Sequence, residues 1–536
     1  MKHNRFLKAI AISLSLLMLL SALAIPAFAK DGAIITTPVK FETDESYDKW
    51  DGVDTADEFW AQYDPTADGT GKPAIIIDSA AKLAGLAKVT NDAKIGGSTG
   101  AFANQVITVT KNIDLMCFEF SAIGRIYGNN FAGILEGNVN GKPAKIANLV
   151  ITTADSNQGF VGNLRGGAVS NLTFINATVG NAGTQGAVGI AIGYASKTIQ
   201  KIENISVIDS KAISTATSGH TGYVLGRIKS DNAVTVKNCA AINCTTQVSE
   251  NSIHLGAVVG FLEQKPGNIS YTLENCFLSG RTETEEYTSL GGMVARLDNL
   301  NGDGKITFKN CQYNANLFAS TDEVGTDAAL PIGVLVGDAS AGCRIDIDGF
   351  LCTGTASGLA DASAMIGSAG GVLEITAKNV YTTTPLQLIG ADATSNTPTI
   401  TITKVEADAI KGAGATTALA GFDFTNVWET RDGKIPTLKI AVEDAYVPVL
   451  TYEPSDPVDP NPPVDPNPPV DPNPPVDPNP PVDPNPPVDG GEDTNPPAAD
   501  DAKKDDGGCG SVVSATALVT LLTLGMGVTV IRRKHD

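Results

Sequence analysis

The chain has 536 residues, of which 42% are hydrophobic, 18% charged and 6% aromatic, with 55 glycines and 30 prolines. That length excludes a single small domain, and the scarcity of aromatics beside so much glycine excludes an ordinary aromatic-rich globular core. The formal charge of −21 at pH 7 argues against nucleic acid as a partner, because phosphate backbones are held by a surplus of Lys and Arg.

Lys2, Arg5 and Lys8 precede an apolar run that begins at Ile10 and ends at Leu23, and Ala27-Phe28-Ala29 comes next. A basic start, a short apolar core and a small-x-small end make a secretory signal. Residues 1–29 are therefore expected to leave after Ala29 and the rest to be exported; a retained membrane helix is the competing reading. Residues 30–72 form a lead-in. Its acidic stretch over 42–64, with Trp50 and Trp60, is expected to cap the first coil of a solenoid that begins at 73, since an open solenoid end exposes strand edges and core. Contact with a sugar is the alternative.

Residues 73–450 are expected to form that solenoid. Gly222-Tyr223-Val224-Leu225-Gly226 precedes Val234-Thr235-Val236-Lys237-Asn238-Cys239, and the pattern recurs with Gly256 and Gly260 before Asn275-Cys276, and with Gly292 and Arg296 before Asn310-Cys311. Positions 148, 171, 204, 238, 275, 310, 349, 379 and 404 mark successive copies. A unit of this length built from short alternating strands cannot bury its apolar face alone and must stack on its neighbours. The expected fold is all-β: a right-handed parallel β-helix of about nine or more coils. Asn148, Asn171, Asn204, Asn238, Asn275, Asn310 and Asn379 are expected to form a hydrogen-bonded ladder at a bend, weakened where Gly349 and Lys404 interrupt it.

At these residues the chain resembles the GLUG-repeat proteins of bacterial surfaces, with their pectin-lyase-like β-helix. Asp68-Gly69-Thr70-Gly71-Lys72-Pro73 followed by Ala81-Lys82-Leu83-Ala84-Gly85-Leu86 is similar to the family's opening, and Val427-Trp428-Glu429 with Gly433-Lys434-Ile435-Pro436 is similar to its close. The resemblance implies a fold and a surface location; it implies no activity.

Seven cysteines precede Cys509, an odd number that cannot all pair internally. Cys239, Cys276 and Cys311 share one repeat position and are expected to stack inside as small apolar residues, with disulfides between neighbours as the alternative. Asn299, Asn301 and Asp303 have the spacing of oxygen ligands in a calcium loop, but the twelfth position is Asn310 rather than Glu, so a plain turn competes. No other cofactor is indicated. His220 and His254 lie in no nucleophile or zinc motif.

From 458 to 487 the hexapeptide Val-Asp-Pro-Asn-Pro-Pro runs five times, inside a Pro- and Asp-rich linker over 451–508. Proline fixes φ and removes donors, so this stretch is expected to be a disordered, polyproline-like stalk roughly 90 Å long at ~3.1 Å per residue; a Pro-rich ligand for a recognition domain is the other reading. Residues 509–536 begin with Cys509. An uncharged run starting at Val512 and ending at Ile531 comes next, and then Arg532-Arg533-Lys534. At ~1.5 Å per residue such a run spans a bilayer, with the basic tail on the cytoplasmic side. Gly508, Cys509, the span and the tail resemble tripartite sorting signals, which implies processing at Cys509; a simple stop-transfer helix is the alternative.

The function expected is a non-catalytic adhesin or binding protein, displayed on a stalk at the cell surface and engaging envelope glycans, host glycans or surface proteins. An anchored polysaccharide lyase or glycoside hydrolase is the alternative. No catalytic residue is assigned.

Overall fold

The computed structural model describes residues 46–439, apart from 57–73, 93–99, 127, 154, 156, 182–184, 215–217, 249–252, 265–268, 285–288, 300–303, 320–330, 341, 358–363, 370–373 and 392–399. The chain divides into two compact units, Met1–Pro460 and Asn461–Asp536, and every described residue belongs to the first. Ala29, the hexapeptide repeats, Gly508, Cys509 and the run 512–531 lie outside the described residues. No described helix is long and apolar enough to cross a membrane.

One turn contains five short strands: Lys211–Ser214, Ser218–Gly222, Leu225–Ser230, Val234–Lys237 and Ala240–Ile242. Each pairs in parallel with its counterpart one turn on, in Thr245–Val248, Ile253–Gly256, Val259–Gln264, Tyr271–Glu274 and Phe277–Thr284. Stacked in this way, the chain is an all-β parallel solenoid of about seven turns. Two of the nine marker positions fall outside the common column. Asn148 pairs in register with Asn176 at a different corner, and Lys404 pairs with Thr382 rather than with the Asn379 position. The remaining seven positions, from 171 to 379, are the turns.

Alternation at period two places Ile202, Val236, Leu273, Phe308 and Ile347 in one inward column, all buried. Thr235, between the buried Val234 and Val236, is exposed. Ile192, Leu225, Val259, Val294 and Val336 form a second inward column across the interior. No stacked turn can hide these side chains without the turns on either side, which is why the repeat exists only as a stack.

The corner between the second and third glycine-bracketed strands is set by closeness rather than by torsion. A Cβ on Gly222 would sit 2.3 Å from the Leu225 carbonyl oxygen and 2.6 Å from the Gly260 nitrogen, so only glycine lets the two strands approach. In register, Gly226 and Gly260 align with Ala295, and Arg296 aligns with Arg227 and Phe261. Placing Arg296 at a glycine position, as the sequence pattern suggests, is therefore one residue out.

Two parts of the chain are not solenoid turns. Ala80–Asn91 is a helix whose Ser79 side chain caps the Lys82 amide, and its Leu83 and Leu86 are buried in the solenoid core near the N-terminal end. Beyond 405 the chain makes two short 3-10 segments, a helical turn and the antiparallel hairpin Trp428–Arg431 with Lys434–Leu438. This module lies along the side of the solenoid. It covers the outward column Ala240, Phe277, Gln312, Leu351 and Tyr381, packing Ile410, Leu419, Phe422 and Trp428 against it. The strands in this stretch are therefore buried on both faces: Ala241 and Leu278 point into the main core while Ala240 and Phe277 point into the second. Gln312 Nε2 donates to the Pro436 carbonyl at 2.9 Å, and Phe422 stacks on Trp428 with centroids 4.5 Å apart.

Replacing the fully buried Trp428 with Ala is expected to cost about 3–5 kcal/mol and to release the module selectively. Hydrogen exchange should rise over 405–439 while the turns around Val207 and Ala241 stay protected.

Candidate functional site

The turns carry a sharp corner where the backbone enters the left-handed region, those up to Gly280 carry a second, and asparagine occupies most of these places. Asn tolerates φ near +55° better than other L residues because its short amide bonds locally. At the first corner Asn171, Asn204, Asn238, Asn275, Asn310 and Asn379 have φ between 52° and 56°, and Gly349 takes the same place at φ 87°. Stacking brings the amides into line. Asn204 Nδ2 donates to Asn171 Oδ1 at 2.7 Å, Asn238 to Asn204 at 2.8 Å, Asn275 to Asn238 at 2.9 Å and Asn310 to Asn275 at 3.3 Å. The second corner holds Asn148, Asn176, Asp209, Asn243 and Gly280, all with positive φ. There Asn176 donates to Asn148 at 2.6 Å and Asn148 to Asp114 Oδ1 at 2.7 Å. Asn148 thus belongs to this second row, because the corner it occupies precedes a different strand.

Both rows run with donors pointing toward the N-terminal turns, but they end differently. The second row ends on the Asp114 carboxylate, which burial raises above its ordinary range while the Asn148 amide and the Met116 N–H pull it back. The first row has no such acceptor. The place before Asn171 is Gly137, where a Cβ would lie 2.1 Å from the Asn171 carbonyl oxygen, so no side chain fits. Asn171 Nδ2 makes no hydrogen bond among the described residues.

That bare end opens on a groove of about 460 Å³. Thr173 and Ser206, both buried, form its floor next to Asn171 and Asn204, and the 138–143 loop forms its rim. Glu136 and Lys142 bring opposite charges to it. Glu136 meets Thr108 Oγ1 at 3.5 Å, and Lys142 has no ion-pair partner among the described residues. The column Lys145, Thr173, Ser206 continues in register into Ala240 and Phe277. One outward column is therefore polar and open at the groove, then apolar and covered by the C-terminal module.

A second outward surface lies next to the glycine corner. Tyr194, Arg227, Phe261, Arg296 and Asp338 form one column. Arg227 lies 5.3 Å from the Tyr194 centroid and 5.4 Å from that of Phe261, and Arg296 lies 5.6 Å from Phe261 on its other side. The neighbouring Glu263 accepts from both Arg227 and Lys229. Burial pushes this carboxyl up, but the bonds from Lys229 and Arg227 outweigh it and hold the pKa below its ordinary value. Asp298 meets Arg296 at 3.8 Å and accepts from Ser340 at 2.8 Å. The cations of this strip are matched by carboxylates.

The two histidines sit behind it. His220 and His254 stack with centroids 5.3 Å apart, His220 packs on Phe261 at 4.2 Å, and His254 joins Ser289 Oγ at 2.6 Å and Arg296 Nη1 at 3.0 Å. Burial, with the neighbouring His254, Arg227 and Arg296, lowers the His220 pKa to about 2, and burial with Arg296 lowers that of His254 to about 4. They are held as neutral packing residues.

Cys239, Cys276 and Cys311 share one inward column, free and buried. Burial pushes the Cys239 thiol up to about 12; contact with Cys311 together with burial also raises Cys276. Cys343 and Cys352 are free as well. Of the candidate calcium ligands, Asn299 ends the strand Val294–Asn299, and Asn301 and Asp303 lie outside the described residues. No cluster of three or more His, Cys, Asp or Glu among the described residues could hold a metal ion.

The groove has no signature in the sequence, because it depends on a loop of one turn overhanging the next two turns. The strip does have one: the residue after the second glycine position reads Tyr194, Arg227, Phe261, with Arg296 hidden by the one-residue offset of its repeat.

No family model matches the chain, and no curated protein matches it. Among solved structures, that of a candidate immunoglobulin A1 protease from Bacteroides ovatus superposes with a TM-score of 0.43 at 15% identity, covering 70% of this chain and 94% of that one.

The buried histidines set a pH dependence. Both bind fewer protons folded than unfolded, where the ordinary value is 6.5, so their contribution to stability is complete above that value and is lost as pH falls below it, down to about 4 for His254 and about 2 for His220. Thermal unfolding should shift down between pH 7 and pH 4.5, and His254→Gln should shrink that shift. A Tm difference unchanged by the substitution would contradict the assignment.

Asn238 bonds on both sides of its row, so Asn238→Ala is expected to cost about 2–4 kcal/mol through lost amide bonds and a strained left-handed Ala. Denaturant unfolding measures it.

Proposed function

We propose that this chain is an exported surface protein, tethered by its 512–531 run, whose solenoid binds a glycan in the Glu136–Asn171 groove without chemical change. The single observation carrying this reading is the groove itself. It is concave and polar, and it is lined by amides, hydroxyls and one residue of each charge, the kind of surface that exchanges hydrogen bonds with a polyhydroxylated ligand.

The groove's make-up supports binding over cleavage. Glycoside hydrolysis works through two carboxyl groups facing one bond, and Glu136 is the one carboxylate among the described residues lining it. The sequence supplies the setting: an export signal, a Pro-rich stalk and an anchor place a binding surface away from a membrane. A right-handed winding, removal of residues 1–29 and processing at Cys509 belong to this proposal on the sequence alone.

The test is direct. The full chain, screened on glycan arrays and assayed in parallel for new reducing ends on the glycans it retains, is expected to bind without releasing product. Glu136→Gln with Asn204→Asp should lower retention about tenfold or more. Release of reducing ends would turn the reading to the hydrolase or lyase, and retention unaffected by the substitutions would move the site elsewhere.

A further inference from the structure

We propose that the groove takes a sugar acid, and that the ligand's carboxylate caps the open end of the first asparagine row. The inference rests on the glycan-binding reading and adds the chemical class of the ligand.

The two rows supply an internal comparison. In each, the bonded amides donate Nδ2 to the Oδ1 one turn earlier, from Asn310 back to Asn171 in the first row and from Asn176 to Asn148 in the second, so the N-terminal end of a row presents a donor that wants an acceptor. In the second row that acceptor is built in: Asp114 Oδ1 receives Asn148 Nδ2 at 2.7 Å. In the first row the corresponding acceptor is missing, and the backbone prevents one. Gly137 occupies the place, and any Cβ there would collide with the Asn171 carbonyl at 2.1 Å. Asn171 Nδ2 is left without a partner among the described residues, facing a groove that it lines.

Aligned amides polarise one another, so the terminal donor of a row is a stronger donor than an isolated amide. Asp114 shows that an anion satisfies such an end. A diffusible carboxylate reaching the same kind of end finds a second attraction in Lys142, which lines the groove and has no ion-pair partner among the described residues. A carboxylate held by an ammonium and an amide makes charge-assisted bonds, stronger than those a neutral hydroxyl would make at the same atoms.

Glu136 gives the ligand its remaining chemistry. A carboxylate on the protein repels a bare anion but accepts from hydroxyl groups, and the Thr173 and Ser206 hydroxyls and the Asn138 amide extend the polar lining. The ligand that suits all of these carries a carboxylate at one edge and hydroxyls at the other. About 460 Å³ accommodates one or two sugar rings and lies within the usual range for small-ligand sites.

The test compares glucuronate, glucose and acetate on the full chain by calorimetry or saturation-transfer NMR, at two salt concentrations. Three variants are used. Asn171→Asp keeps a residue that tolerates left-handed backbone and keeps the acceptor for Asn204, but replaces the terminal donor with a negative charge. Lys142→Ala removes the cation from an exposed loop. Lys411→Ala, on the C-terminal module, is the control. Glucuronate is expected to bind more tightly than glucose or acetate, more weakly at high salt, and about tenfold more weakly in each of the first two variants, with the control unchanged. Equal binding of glucose and glucuronate, or glucuronate binding indifferent to Asn171→Asp and Lys142→Ala, would overturn the sugar-acid assignment while leaving glycan binding intact. Acetate binding as tightly as glucuronate would reduce the site to a bare anion site and overturn it as well. Failure of every saccharide to bind a chain whose Tm matches that expected for the folded solenoid would remove both readings.

Discussion

The structure depends on the parallel backbone ladder between successive turns. Each short strand is too small to persist alone, and its N–H and C=O groups are satisfied only by the strands of the turns before and after it. For the ladder to continue, every turn must return the chain to the same place in the cross-section. That requirement dictates the corners: glycine where two strands touch backbone to backbone, as at Gly222, and a left-handed residue where the chain bends most sharply, as at Asn238 and Asn243. The side-chain chemistry of the molecule is arranged around those fixed points.

Repetition converts single residues into columns, and columns have properties that single residues lack. An asparagine at one corner is a conformational convenience, but five in register from Asn171 to Asn310 form a polar rail with a direction. A rail has ends, and an end needs an acceptor. The fold meets that need at Asp114 and leaves it open at Asn171. The same logic turns Arg227, Phe261 and Arg296 into a stack of alternating cation and ring, and converts two histidines into a buried neutral pair. Stability and recognition here arise from one device, the superposition of turns on the same track, and differ in whether the resulting column is closed by the protein or left exposed.

The side of the solenoid also shows how a repeating surface is made non-uniform. One outward column passes from Lys145, Thr173 and Ser206 to Ala240, Phe277, Leu351 and Tyr381. Its apolar part is covered by the module that ends in Leu438, and its polar part borders the groove. Folding the last described residues back along the side, rather than adding further turns, buries apolar surface that would otherwise be open to association with other chains.

How much of this is legible in the sequence depends on the range of the interactions involved. Alternation at period two, the glycine brackets and the recurring Asn-Cys pair are local patterns, and they are enough for a parallel solenoid and for an inward thiol column at Cys239, Cys276 and Cys311. Registration between turns is not local. Asn148 and Asn171 look alike in the sequence, yet they occupy different corners of the turn, and the Gly291-Gly292 doublet sets Arg296 one place out because Gly291 is the residue in register with Gly256. The groove, the bare amide of Asn171 and the side-packed Trp428 arise only when residues some 30 or more positions apart are brought side by side, which the sequence encodes through loop geometry and packing rather than through any motif. Composition and periodicity determined the kind of stack; the tertiary structure alone decided which columns line up, because lateral register is set by backbone hydrogen bonds between turns and by the close contact that only glycine permits.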